Sequence, residues 1–277
     1  MIARLALILT IAVGAAIPAR AGAAEIIAVD VELVQAVDAS GSVEPDEWRL
    51  ELDGIAAAIR APDVVAAIRA GRHGRIAMCL EIWADATRQQ DLSDWFMIDS
   101  AASAEAFARM VERFPRRVHG GTGIGSAVAE GIRTMQAAPY QADRQIVDVS
   151  GDGSETPVRE EAAILLPSAI AMAKSFGVTV NGLAITVQEP DLASYYRDHV
   201  TTGPGSFVIV ANAYADYKDA IHMKLLRELT ADVSWLEPAR GRAKSRQRLG
   251  IPRLAPARIP GLEQLPLALD EIPLAER

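Results

Sequence analysis

Asp38, Ser40 and Ser42 stand two residues apart in LVQAVDASGSVEP, where an apolar run gives way to side chains bearing oxygen. Two other stretches offer the same kind of atom. HGGTGIGSAV (119–128) places Thr122 in a glycine-rich loop that opens a helix, and SGDGSE (150–155) places Asp152 just past an apolar strand. Carboxylates and hydroxyls with no His or Cys among them make a hard, oxygen-only donor set. The chemistry they suit is binding of Mg²⁺, with Mn²⁺ or Ca²⁺ as alternatives. Hydroxyls are neutral, so two carboxylates are too few to fill an octahedral shell or quench the ion's charge. One position is left for a carboxylate brought by another protein.

Three loops far apart in sequence meet only if a scaffold brings them to one edge. VELVQAV (31–37), RIAMCLEIW (75–83), QIVDVS (145–150), VTVNGLAI (178–185) and SFVIVA (206–211) read as strands. Their nearly continuous apolar character suits parallel strands covered on both faces. Helical patterns fall between them, over 44–60, 102–114, 123–137, 158–176, 189–198 and 213–231. Pro45 and the acids Glu44, Asp46 and Glu47 suit a helix start, and Gly177 suits a helix stop. TRQQDLSDW (87–95) reads as a short antiparallel edge strand. The alternation predicts a doubly wound α/β sandwich. In such a sheet, ligands bind beyond the carboxyl ends of the strands, near the point where strand order reverses. Asp38, Ser40, Ser42, Thr122 and Asp152 all fall at that edge.

The three motifs in this order, D-x-S-x-S, a Thr in G-G-T-x-I-G, and Asp-Gly after an apolar strand, resemble the von Willebrand factor A domain with its metal-ion-dependent adhesion site. The resemblance spans about residues 30–232. It implies a Rossmann-like fold with a central, mostly parallel, six-stranded sheet flanked by helices. It also implies roles: Ser40 and Ser42 as direct ligands, Thr122 direct or through water, and Asp38 and Asp152 acting mainly through waters or hydrogen bonds. The sequence departs from the common T-D-G at the third motif. Val149-Ser150-Gly151-Asp152-Gly153 inserts a glycine, and Asp148 lies within the strand; Asp152 is the expected site carboxylate. VSGDGSE, YYRDHV through TGPGSFV (195–208) and AYADYKDAIHMKLLREL (213–229) are similar to a narrower family of exported bacterial A-type domain proteins of unknown function. Glu44, Ser154 and Glu155 flank the site, either as a rim that shapes partner choice or as simple helix-start residues.

The ends of the chain read differently from its middle. Residues 1–23 have an early Arg4, an apolar stretch from Leu5 to Pro18 and small residues fitting A-x-A cleavage, which is the layout of a secretory signal peptide. This predicts a periplasmic or secreted protein without a membrane span after cleavage. Six of the fifteen prolines follow Trp235, and 237–258 carry seven basic side chains, so 237–277 read as a disordered tail. The domain between, residues 24–236, has 31 acidic and 18 basic side chains, net −13. That balance suits a cation and argues against nucleic acid. Cys79 is the only cysteine and lies in an apolar run, so no intramolecular disulfide forms and the thiol is expected to be buried.

Other motifs do not hold. Gly121-Thr122-Gly123-Ile124-Gly125 lacks the dinucleotide spacing and does not follow the first strand. His119-Gly120-Gly121 resembles an esterase oxyanion loop, but Ser150 has no glycine two before it and no nucleophile elbow forms. A calcium loop from Asp148 would need a glutamate where Arg159 stands. His73, His199 and His222 read as surface or packing residues, and Trp48, Trp83, Trp95 and Trp235 as packing. The sequence therefore predicts a protein-binding module and not an enzyme. Its cation bridges to an acidic residue of a partner protein. The alternative keeps the fold but makes the cation structural, within an assembly scaffold; a metal-assisted hydrolase is remote.

Overall fold

A computed structural model describes residues 26–85, 91–156 and 164–230. The expected signal peptide and basic tail lie outside these residues. Strand β1 (Ile27–Asp38) leads into α1 (Pro45–Arg60), α2 (Pro62–Ala70) and β2 (Ile76–Trp83). Strand β3 (Phe96–Ile98), α3 (Ala101–Glu112), α4 (Ile124–Ala137) and β4 (Tyr140–Gly151) follow. The chain continues through α5 (Leu166–Phe176), β5 (Thr179–Ile185), α6 (Leu192–Tyr195), β6 (Val208–Ala211) and α7 (Tyr217–Thr230). A π-helical turn, Tyr196–Val200, extends α6, and a 3₁₀ turn, Tyr214–Asp216, precedes α7.

The strands form one six-stranded sheet in the order β3-β2-β1-β4-β5-β6. Every pair is parallel except β2 with β3. The architecture is the von Willebrand factor A-like sandwich implied above. Strand order reverses between β1 and β4, and their register sets Val37 opposite Ser150. Asp38 and Asp152 therefore emerge side by side at the switch point.

Period-two alternation divides the sheet between two apolar layers. Val31, Leu33 and Val37 of β1 face Leu52, Ile55 and Ile59 of α1, Phe107 of α3 and Leu225 of α7. Val34 and Ala36 face Ile124, Val128 and Ile132 of α4 and Ala169 of α5. Cys79 lies fully buried in the second layer. Gly177 ends α5 with φ at +71°, a left-handed value that only glycine adopts without strain.

Several elements differ from expectation. The antiparallel edge strand is at 96–98; of the 87–95 segment, 87–90 lie outside the described residues, and Leu92 makes an isolated antiparallel bridge to Glu81. Helix α2 was not expected. A break at Ala61 and Pro62 at its first position separate it from α1. The described part of the 158–176 helix begins at Leu166.

Charged side chains also enter the layers. Lys224 of α7 is fully buried, forms a close ion pair with Asp148 of β4, and reaches Glu228 at 2.9 Å. Asn181 Nδ2 donates to Glu228 Oε1 at 2.8 Å, so β5 joins the same buried set. Burial pushes the Asp148 carboxyl up to about 7, while the Lys224 ammonium opposes that rise. Asp148 is therefore occupied inside the core, away from the expected cation site.

Candidate metal centre

The first loop turns on its own aspartate. Ser40 N donates to Asp38 Oδ1 at 2.7 Å, curling D-x-S so that both serine hydroxyls lie together. Ser40 Oγ and Ser42 Oγ are 3.1 Å apart, and Ser42 Oγ donates to Asp152 Oδ1 at 2.8 Å. Asp38, Ser40 and Asp152 are each at most 1% exposed. Asp152, and not Asp148, is the carboxylate that meets the serines.

Gly151 has a steric reason to be glycine. A Cβ there would lie 2.9 Å from Asp38 Oδ2 and 2.7 Å from the Tyr196 hydroxyl. Without the inserted glycine, β4 could not pass this close to the first loop.

The Thr122 loop is fastened on both sides. Gly41 N donates to Gly120 O at 2.8 Å, and Gly123 N donates to Ala84 O at 3.0 Å. Gly121 N makes a close hydrogen bond to Asp85 Oδ1. Thr122 and Thr156 are paired, Thr122 N to Thr156 Oγ1 at 2.7 Å and Thr156 N to Thr122 O at 2.9 Å. These bonds use the Thr122 backbone and leave its hydroxyl facing Gly153, whose Cβ position is 3.6 Å away. All five expected residues thus belong to three loops stitched together at one sheet edge.

The residues expected on the rim have local partners. Glu155 Oε1 accepts from Gly125 N at 2.8 Å and Oε2 from Leu166 N at 3.0 Å, so one carboxylate spans the amino-terminal ends of α4 and α5. Ser154 N and Oγ donate to Glu189, each at 3.2 Å. Glu44 is exposed at the start of α1, where its N–H donates to Glu47 Oε2 at 2.8 Å.

Four further residues join the site. Arg116 Nη2 donates to Ala39 O at 3.1 Å and Ser40 O at 2.8 Å, which holds the loop from outside. The Tyr214 hydroxyl donates to Asp152 Oδ2 at 3.0 Å. The fully buried Tyr196 hydroxyl lies close to Gly151. Glu51 of α1 is fully buried, and neither carboxyl oxygen has a hydrogen-bond partner. Glu51 could have been found in the sequence: it lies three residues after Trp48 and four before Ile55, on the apolar stripe of its helix. Tyr196 and Tyr214 fall in the two later stretches that resemble the narrower family, 195–208 and 213–229, but nothing in those stretches marks them as site residues, and Arg116 lies outside every motif.

The electrostatics favour positive charge. Burial pushes the Asp38 carboxyl up to about 7, the Ser40 backbone N–H holds it back, and the charge of Asp152 adds to the rise. Burial pushes Glu51 well up, reinforced by Asp38 and Asp152 and opposed by Arg116. Asp38 Oδ2 has no hydrogen-bond partner. Buried carboxylate oxygens that lack donors are costly unless a cation or proton meets them. The donor set and these orphaned oxygens fit a hard divalent ion.

Asp30, His73 and Asp143 form another group, with ligand atoms within 4.8 Å of one another. Asp30 accepts from His73 N at 2.8 Å and Arg75 N at 3.2 Å, and Arg72 pairs with Asp143 at 3.8 Å. These bonds clamp the turn before β2.

Known structures share the fold. Proximal thread matrix protein 1 from the mussel byssus is 15% identical with a TM-score of 0.51, covering 73% of this chain and 46% of that one. A second structure of it, described as having a zinc-occupied MIDAS motif, is 16% identical with a TM-score of 0.51, covering 74% and 49%. A D319A mutant of the minor pilin PilB from Streptococcus sanguinis is 13% identical with a TM-score of 0.50, covering 76% and 64%. The chain thus spans about half the length of the mussel protein and 64% of the pilin. No curated protein matches the sequence. Residues 28–233 match the family described as protein of unknown function DUF1194, and the chain belongs to that family.

Proposed function

We propose that this protein is an exported, cation-dependent protein-binding module. Asp38, Ser40, Ser42, Thr122 and Asp152 hold a divalent ion, Mg²⁺ in the first instance and Mn²⁺ or Ca²⁺ as alternatives. An acidic side chain of a partner protein completes its coordination. The observation that carries this reading is the chain Ser40 Oγ, Ser42 Oγ and Asp152 Oδ1, linked at 3.1 and 2.8 Å beside the unpartnered Asp38 Oδ2. Further support comes from the first and third loops meeting through hard oxygens, with the Thr122 loop bonded to both, at the switch of strand order, where ligands of open sheets bind. The zinc-occupied motif is a feature of the mussel protein, and it supports the reading by analogy of fold.

Export rests on the amino-terminal sequence. No helix among the described residues is long and apolar enough to cross a membrane. A binding role is preferred to an enzymatic one because the site residues include no nucleophile–base pair of the kind covalent catalysis needs.

Calorimetric titration with MgCl₂ and MnCl₂, together with crosslinking in the cell envelope with and without EDTA, tests the proposal. Wild type should bind one ion, Asp38→Ala should bind none, and captured proteins should be released by EDTA. Capture that persists in EDTA while the ion raises the melting temperature would assign the ion a structural role. Absence of ion binding by wild type would remove the reading altogether.

A further inference from the structure

The five motif residues bring two carboxylates, and a third buried acid feels the charge of both. Glu51 is fully buried with both oxygens unpartnered, and the charges that act on it most strongly are those of Asp38 and Asp152. Its own charge is the strongest acting on the Tyr214 hydroxyl, and that hydroxyl donates to Asp152. Glu51 and Asp152 therefore act on the same hydroxyl, and Arg116, which holds the D-x-S-x-S loop, lies 5.9 Å over the ring of Trp48, one turn before Glu51 on α1. An isolated buried carboxylate on a packed apolar stripe costs several kcal/mol unless a counter-charge offsets it. A cation that acts on Glu51 is Arg116, whose Nη2 already donates to Ala39 O and Ser40 O.

We propose that Glu51 is a third carboxylate of the cation site, acting through the layer behind the direct ligands to raise affinity for a divalent ion. The charges balance: Asp38, Asp152 and Glu51 against Arg116 leave two negative charges, which one divalent ion neutralises. A monovalent ion leaves the pocket negative. The ion-binding strength of this chain would then depend on a helix α1 residue outside all three motifs.

This inference rests on the cation reading above. Mn²⁺ titration of wild type, Glu51→Gln and Asp38→Ala, with melting curves in chelator and in excess Mn²⁺, tests both. The glutamine variant keeps shape and removes charge. It should melt in chelator at or above the wild-type temperature and bind Mn²⁺ about tenfold more weakly, the usual scale for a residue behind the direct ligands. A residue that merely packs would shift the melting temperature and leave the Kd unchanged. Wild-type Kd in Glu51→Gln, with binding lost in Asp38→Ala, overturns the role of Glu51 and leaves the cation site standing. Failure of Glu51→Gln to fold in chelator also overturns it, because neutralising an uncompensated charge must not destabilise the ion-free chain. No binding by wild type removes both readings.

Discussion

The Tyr214 hydroxyl donates to Asp152 Oδ2 at 3.0 Å, while Ser42 Oγ donates to the other oxygen at 2.8 Å. Both oxygens of the third-loop carboxylate are thereby held, one from the entrance to α7 and one from the first loop. Tyr214→Phe removes one donor and preserves the ring. A single hydrogen bond of about 1 kcal/mol corresponds to about fivefold, so Mn²⁺ binding should weaken by that factor. Equal Kd values for the variant and wild type would show that Tyr214 does not orient Asp152.

Glu155 gives a prediction about stability. Its two oxygens cap the amino-terminal ends of α4 and α5 at 2.8 and 3.0 Å, so Glu155→Ala leaves two backbone amides without a partner. The expected cost is about 1–2 kcal/mol, comparable to loss of a helix cap. Urea denaturation measures it. An unchanged midpoint would free the side chain for the rim role that its position in the sequence also allows.

Lys224 gives a larger one. Removing the buried ammonium while Asp148 and Glu228 remain leaves two carboxylates in the core. Lys224→Met should destabilise by about 3–5 kcal/mol, and adding Asp148→Asn should recover part of that loss. If the double variant is no more stable than the single one, the buried pair does not explain the effect.

Glu32 governs a pH dependence. Burial pushes its carboxyl up to about 7, and the Gln145 amide, donating at 2.8 Å, holds it back. The unfolded carboxyl titrates near its ordinary value of about 4.3, so the folded chain binds more protons between that value and about 7. This contribution to stability is complete below the unfolded value and is lost as pH rises through about 7. Glu32→Gln should flatten the fall in melting temperature between acidic and mildly alkaline buffer. Parallel curves for the two proteins would remove Glu32 as the cause.

The sheet was legible because parallel strands buried on both faces leave long apolar runs. The site was legible because its residues follow such runs directly. β1 and β4 extend further back than expected, to Ile27 and Tyr140; β4 does so through Gln141, Asp143 and Arg144, polar residues that break the apolar run and that backbone pairing holds beside β1. Helix α2 escaped notice because two turns after a proline leave little periodicity to read. The buried acids were opaque for another reason. Glu32 and Asp148 each sit singly within an apolar run, and their partners, Gln145 and Lys224, come from distant elements that only the fold brings near. Gly151 looked like an irregularity in the motif, and its close approach to Asp38 explains it.

The sheet is bounded by short strands, three residues in β3 and four in β6, while β1 and β4 at its centre each have twelve. So little unpaired backbone at either margin gives another chain a poor template for joining edge to edge. Any stable assembly of this protein would then have to be made through its loops and helices, which favours discrete complexes over fibres built by strand addition.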